Sequence, residues 1–227
     1  MTQKRTQNLA LFDLDNTLLA GDSDYNWSLF LINEGLLDAK THHDRNEQFY
    51  ADYKDGSLDI NAFLQFQLQP LCQHTRVFLD ALHVKYMQNI IRPMMTLKAQ
   101  ALVNKHKAAN DLCIIITATN SFVTKPIASA FGIEHLIGTE PEVIDNEFTG
   151  GVTGVPSFQQ GKVTRLNDWL KAREQQLANF EKSYFYSDSH NDLPLMKLVS
   201  DPVAVDADET LTQYARIHGW LQMSLRD

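Results

Sequence analysis

Two carboxylates separated by one residue, Asp13 and Asp15, close the short apolar run Asn8-Leu9-Ala10-Leu11-Phe12. Side by side in a turn they repel unless a cation or a proton lies between them. Asp188 and Asp192 add two carboxylates just beyond a second run, Tyr184 to Ser187. A hard divalent ion takes oxygen ligands, typically one or two carboxylates with waters and a substrate phosphate, so this residue set points to Mg2+. No Cys/His cluster competes for zinc: His42 and His43 are adjacent and diverge, and the other histidines are scattered.

These groups need a frame that brings them together. The runs ending at Asp13 and Asp188 read as buried parallel strands, and so does Leu112-Cys113-Ile114-Ile115-Ile116-Thr117. An open parallel sheet binds ligands beyond the C-terminal ends of its strands, so Asp13, Thr117 and Asp188 are expected to meet in one crevice. Residues 20–91 read as helices alone, with Trp27, Phe30 and Leu31 on one face and Ile60, Phe63, Leu64, Leu68 and Leu71 at helical spacing. A helix follows from about Met94 to Ala108, and another, capped by Asn120 or Ser121, runs to Gly132. Pro141 to Gly154 reads as a hairpin turning at Asp145-Asn146 and Gly150-Gly151. The pattern then gives a helix from Gly161 to near Leu177, a short helix from Asn191 to Leu198, a strand from Pro202 to Val205 and a helix from Glu209 to His218. The fold class is therefore α/β, a parallel sheet carrying a helical subdomain.

Composition narrows the partners. The chain has 227 residues, 44% of them hydrophobic, with 20 Lys and Arg against 28 Asp and Glu and a net charge of −8. Nucleic acid and anionic membrane are disfavoured, because no basic cluster exceeds Lys4-Arg5. Cys72 and Cys113 lie far apart and read as reduced thiols, Met1 to Gln7 is polar, and no window has the length of a membrane span. A cytoplasmic protein, monomeric or homodimeric, is the expectation.

Phe12-Asp13-Leu14-Asp15-Asn16-Thr17-Leu18-Leu19 resembles the first motif of the haloacid dehalogenase superfamily. Ile116-Thr117-Ala118-Thr119 resembles its second motif, Gly161-Lys162 its third and Ser187-Asp188-Ser189-His190-Asn191-Asp192 its fourth, in the right order. The helical insert and the segment Thr139 to Gly154 are similar to the phosphoserine-phosphatase-like branch, subfamily IB. The resemblance implies a Rossmann-like core, residues 1–19 and 92–227, with a helical cap, residues 20–91. It also implies a phosphomonoesterase acting on a small phosphorylated metabolite. In that pattern Asp13 is the nucleophile that forms an aspartyl phosphate, and Asp15 is the acid and then the base. Thr117, Ala118, Lys162 and Asn191 bind the phosphate. Asp13, the Asp15 carbonyl and Asp188 hold Mg2+, and Asp192 steadies Lys162.

The cap must set the substrate. In phosphoserine phosphatases an acidic residue nine positions after the nucleophile meets the substrate amine, and Asp22 holds that place. Asp22 also reads as a helix cap. The family's arginine for the substrate carboxylate has no match in Ile60 to Leu71, which offers Gln65, Gln67 and Gln69, and Arg45 is the remaining candidate. An acid for an amine without that arginine fits an amino-alcohol phosphate such as histidinol phosphate, with Tyr25 or Trp27 stacking on the imidazole. Phosphoserine is the alternative substrate, and a non-catalytic phosphate-binding or phosphoryl-accepting regulatory protein is the alternative of another class.

Overall fold

The structure is a computed structural model that describes residues 7–226. The polar segment with Lys4-Arg5, and with it the reading that no leader precedes the first strand, lies outside the described residues, as does Asp227.

The first strand, β1 (Leu9–Phe12), is wholly buried, as a strand packed on both faces must be. Its side chains alternate between the two layers. Ala10 and Phe12 enter the hydrophobic cluster on one side, while Leu9 and Leu11 enter the cluster on the other. On its flanks β1 pairs in parallel with β2 (Leu112–Asn120), where Phe12 lies opposite Ile115, and with β5 (Ser183–Ser187), where Phe12 lies opposite Tyr186. Adding β3 (His135–Ile144), β4 (Glu147–Thr153), β6 (Asp201–Val205) and β7 (Leu221–Met223) gives a seven-stranded sheet in the order β4-β3-β2-β1-β5-β6-β7. Only β3 and β4 pair antiparallel.

Four helices, α1 (Ser23–Asn33), α2 (Ala39–Asp55), α3 (Ile60–Leu68) and α4 (Arg76–Tyr86), follow the β1 loop, and residues 20–91 hold helices and turns without a strand. After the short α5 (Arg92–Met94) come α6 (Leu97–Ala108), α7 (Ser121–Phe131), α8 (Gln160–Lys171), α9 (Leu193–Met196) and α10 (Glu209–His218). The helices of the insert do not form a separate core. Trp27, Phe30, Leu64, Leu79 and Tyr86 share one cluster with Phe12 and Ile115 of the sheet.

Several expectations need correction. The strand β3 begins at His135, ahead of the expected hairpin, and is parallel to β2 before it turns back on β4. The turn is Asp145-Asn146, both in the left-handed region with φ 51° and 66°, whereas Gly150 and Gly151 lie inside β4. The α6 helix starts at Leu97, because Thr96 caps it, α8 stops at Lys171, and β7 was not expected.

Candidate active site

Asp13 follows β1 directly, and its N–H donates to the Tyr186 carbonyl at 2.9 Å, which fixes it to the neighbouring strand. One carboxylate oxygen accepts from Lys162 Nζ at 2.7 Å and the other from Thr17 Oγ1 at 3.1 Å. The same hydroxyl lies 3.0 Å from Asp188 Oδ1, so Thr17 sits between the carboxylates of two separate strand ends. Lys162 also pairs with Asp192 at 2.7 Å, and Asp192 accepts from Ser187 Oγ at 2.6 Å. Lys162 is placed by the residue before it. A Cβ on Gly161 would stand 2.0 Å from the Pro156 carbonyl oxygen, so only glycine lets the chain enter α8 at that angle.

Asp15 turns to a different set of partners. One oxygen accepts the Ser23 N–H at 2.6 Å, and the other accepts Thr119 Oγ1 at 2.8 Å, with Thr117 Oγ1 at 3.5 Å. Sequence reasoning quoted Thr119 without giving it a role. The signal was present, since Thr117 and Thr119 are two apart on one strand and share a face.

Burial governs the charges here. It pushes Asp13 up to about 7, with Asp192 and Asp15 adding to the effect and the Lys162 ammonium opposing it. Asp15 rises to about 6 through burial and the nearby Asp22 charge, against the hydrogen bonds from Ser23 and Thr119. Burial and the Asp13 and Asp192 charges hold Asp188 well above the usual carboxylate range. Burial alone would lower Lys162, but Asp13 and Asp192 outweigh it and keep the ammonium protonated. Lys162 thus pairs with two of the three carboxylates, Asp13 and Asp192, and Asp188 has the Thr17 hydroxyl instead.

That imbalance is the test of a metal at this position. The donors are all oxygen, and Asp13 and Asp188 converge on one hydroxyl, which suits Mg2+ with one or two carboxylate ligands. Among the described residues no group of three or more His, Cys, Asp or Glu side chains forms a metal cluster. Further ligands would then be other oxygens, from backbone carbonyls, neutral side chains or water. The Asp15 side chain, occupied by Ser23 and Thr119, is not positioned as one.

Above these groups lies a small cavity of about 50 Å3. Asp13, Asp15 and Ala118 line its floor, and Tyr25, Phe49, Tyr50, Tyr53 and Phe63 contribute aromatic walls. No Arg or Lys lines it among the described residues. Asp22 reaches it as the cap of α1, one oxygen accepting from the N–H groups of Asp24 and Tyr25 at 2.9 and 2.8 Å. The expected capping role is thus real and uses one oxygen of the two.

Asp24, which sequence reasoning missed, also lines the cavity and is only 4% exposed. It accepts one side-chain hydrogen bond, from the Asn120 amide at 3.3 Å, and burial with the Asp22 and Asp15 charges holds it well above the ordinary carboxylate range. Its helical neighbourhood made it look like one more polar residue near a cap.

Other expected residues are placed elsewhere. Arg45 is exposed on α2 with its guanidinium 4.4 Å above the Phe49 ring, and it does not line the cavity. Trp27 is a core residue, 1% exposed and packed among Phe30, His83, Tyr86 and Phe122, so Tyr25 alone of the two expected aromatics reaches the cavity. Asn191 uses both ends of its amide within the protein. It accepts from Gln159 Nε2 at 2.8 Å and donates to the Tyr53 carbonyl at 2.9 Å, which ties the end of α2 to the fourth motif.

The family model described as haloacid dehalogenase-like hydrolase matches residues 10–197. A histidinol-phosphatase of Neisseria meningitidis is 46% identical over 215 residues, covering 94% of this chain and 97% of that protein. A phosphoserine phosphatase of Mycobacterium tuberculosis is 30% identical over 217 residues, covering 93% of this chain and 68% of that one. A crystal structure of a Bordetella pertussis protein of unknown function superposes with a TM-score of 0.93 at 45% identity, covering 97% of this chain and all of that one (100%). A substrate-bound phosphoserine phosphatase superposes at 0.68 with 16% identity, covering 97% of this chain and 94% of that one, which shows a shared fold.

Proposed function

This chain belongs to the haloacid dehalogenase-like hydrolases and is a phosphatase, and we propose that it is a Mg2+-dependent phosphomonoesterase acting on a cationic amino-alcohol phosphate, with histidinol phosphate as the substrate. In this reading Asp13 attacks phosphorus in line, a new carboxylate O–P bond forms, and the ester P–O bond breaks. Asp15, raised to about 6, gives its proton to the departing alkoxide. It then takes a proton from the water that hydrolyses the acyl phosphate, which returns Asp13 and releases inorganic phosphate. Lys162 and the Thr117 hydroxyl face the negative charge of the transferred group, and Asp192 keeps Lys162 in place. Mg2+ on Asp13, Asp188 and the Asp15 carbonyl would offset the excess negative charge and polarise the phosphoryl oxygens. Residues 20–91 act as the cap that selects the substrate and excludes water.

The observation that carries the substrate assignment is the charge of the cavity wall. Asp22 and Asp24 face it, aromatic rings surround it, and among the described residues no Arg or Lys lines it. A substrate carboxylate, as in phosphoserine, meets two acids there and no lining Arg or Lys, with the Lys54 ammonium over the Tyr50 ring already acting on Asp22, whereas a cationic nitrogen meets acids and an imidazole ring meets aromatic walls. The test is phosphate release from histidinol phosphate and from phosphoserine by metal-free protein, before and after Mg2+ is added. Mg2+-dependent turnover with a strong preference for histidinol phosphate is expected. Equal or better turnover of phosphoserine would overturn the substrate assignment.

A further inference from the structure

The loop carrying the two reacting carboxylates is held from the far end of the chain. Between Leu14 and Leu18 the backbone leaves helical geometry at Asp15 and at Asn16, where φ is 55°, so the turn does not hold itself as a regular helix would. The carbonyls of Asn16 and Thr17 both accept from one side chain: Arg226 Nη1 donates to Thr17 at 3.1 Å, and Nη2 donates to Asn16.

The path that delivers this guanidinium is well anchored. The strand β7 pairs with β6, and Leu225 beyond it is 1% exposed. The Leu225 N–H donates to Asp206 Oδ2 at 2.9 Å, and its carbonyl accepts from Thr96 Oγ1 at 2.7 Å. Asp206 also lies 3.7 Å from Arg226 Nη1, and Lys98 Nζ donates to the Arg226 carbonyl. A planar fork of donors suits two successive carbonyls, and an ammonium matches that geometry less well.

We propose that Arg226 is a positioning residue for phosphoryl transfer: by holding the Asn16 and Thr17 carbonyls it sets Asp13, Asp15 and the Thr17 hydroxyl in register with Asp188. The inference rests on the reading of Asp13 and Asp15 as the reacting groups. Its physical basis is that the Thr17 whose carbonyl is held also supplies the hydroxyl between Asp13 and Asp188. A displacement of about 1 Å at a reacting group costs on the order of a hundredfold in rate.

The test uses the full chain with Arg226→Gln and Arg226→Lys, measuring kcat and KM on aryl and alkyl phosphates whose leaving groups differ in acidity, together with thermal unfolding. Arg226→Gln should lose roughly ten- to a hundredfold in kcat with KM little changed. The loss should be larger for the alkyl ester, which needs the Asp15 proton, and Arg226→Lys should recover part of it. An unchanged kcat, or an equal loss on both esters with Lys no better than Gln, would overturn the proposal. The parent reading fails separately, if Asp13→Asn retains turnover.

Discussion

Replacing Asp24 by Asn should move stability and activity in opposite directions. The carboxylate is 4% exposed and accepts a single side-chain hydrogen bond at 3.3 Å, with no cation in the surrounding cavity wall. Burial, with the Asp22 and Asp15 charges, raises it well above 3.8, so the folded protein holds a proton that the unfolded chain releases. The energetic cost of ionising it is complete above the raised pKa and disappears as pH falls toward 3.8. Asparagine keeps the acceptor for Asn120 and removes the charge. The ligand-free variant should therefore gain on the order of 1–3 kcal/mol at neutral pH. That corresponds to about 2–4 °C in Tm for each kcal/mol, and the gain should shrink in acid.

Catalysis should respond the other way. A bound cation favours the ionised form of Asp24, and losing that charge-assisted hydrogen bond costs roughly 1.5–3 kcal/mol, or about 10- to 150-fold in kcat/KM, on histidinol phosphate. Phenyl phosphate, which carries no cation, is the control and should hardly change. Asp22→Asn should show the same substrate selectivity with a smaller gain in stability, since burial raises Asp22 as well but two backbone N–H groups and the Lys54 charge oppose it. Calorimetric or fluorescence melting across pH, paired with phosphate-release kinetics on both substrates, decides the matter. A variant that is less stable and equally impaired on both would show that Asp24 only anchors Asn120, and the recognition argument would be wrong.

Asp13→Asn should abolish turnover, and Asp15→Asn should leave an aspartyl phosphate detectable by mass when the leaving group is good; absence of that adduct would reassign the two roles. Asp188→Ala should weaken Mg2+ binding, read by titration calorimetry, far more than it lowers the metal-free Tm, and unaltered binding would place the metal elsewhere. Gly161→Ala places a Cβ 2.0 Å from the Pro156 oxygen and should destabilise by about 1–3 kcal/mol while depressing kcat through Lys162; a variant with normal Tm and kcat would refute the close-approach argument. Burial lowers the His83 pKa below 6.5 despite its bond to the Val123 carbonyl, so its contribution is present above 6.5 and lost as pH falls. Denaturant titrations from about pH 7.5 to about 5.5 should show wild type losing stability relative to His83→Gln, and parallel curves would contradict the assignment.

The strand ends were legible because their chemistry and hydrophobicity coincide. A wholly buried β1 has to be apolar until its last residue, so Asp13 stands out as the point where the chain leaves the sheet. Asp188 is marked in the same way, whereas Thr117 closes an apolar run but not its strand, since β2 continues to Asn120. Asp24 and Arg226 carry no such mark. One looks like a polar residue in the first turn of a helix, and the other acts across a separation of 210 residues that the β6–β7 pairing and the Leu225 bonds to Asp206 and Thr96 close. Trp27 shows the opposite difficulty. Helical periodicity placed it on the buried face with Phe30 and Leu31, yet it cannot say whether that face meets a ligand or the Phe122 ring of another helix.

The same ambiguity bears on how the insert works. Helices α1 and α4 pack into the cluster that covers one face of the sheet, with Tyr86 Oη donating to the Ser23 carbonyl at 2.6 Å and the His83 ring meeting the Val123 carbonyl at 2.8 Å. Their burial is continuous with the core, so they cannot open without exposing it. Helices α2 and α3 supply Asn46, Phe49, Tyr53, Phe63 and Gln67 to the cavity wall. The α2 end is latched by the bond from Asn191 to the Tyr53 carbonyl at 2.9 Å and by Gly56, whose left-handed turn, φ 74°, brings it beside His190. An exchangeable amide bond is a far smaller barrier than a buried aromatic cluster. Any opening that admits substrate should therefore move α2, hinging within residues 34–59, and leave α1, with Asp22 and Asp24, and α3, whose Leu64 and Leu68 belong to the same core cluster, fixed to the sheet. Hydrogen exchange that is fast in α2 and slow in α1, α3 and α4 is the expected pattern, and uniform protection across all four helices would argue against such a hinge.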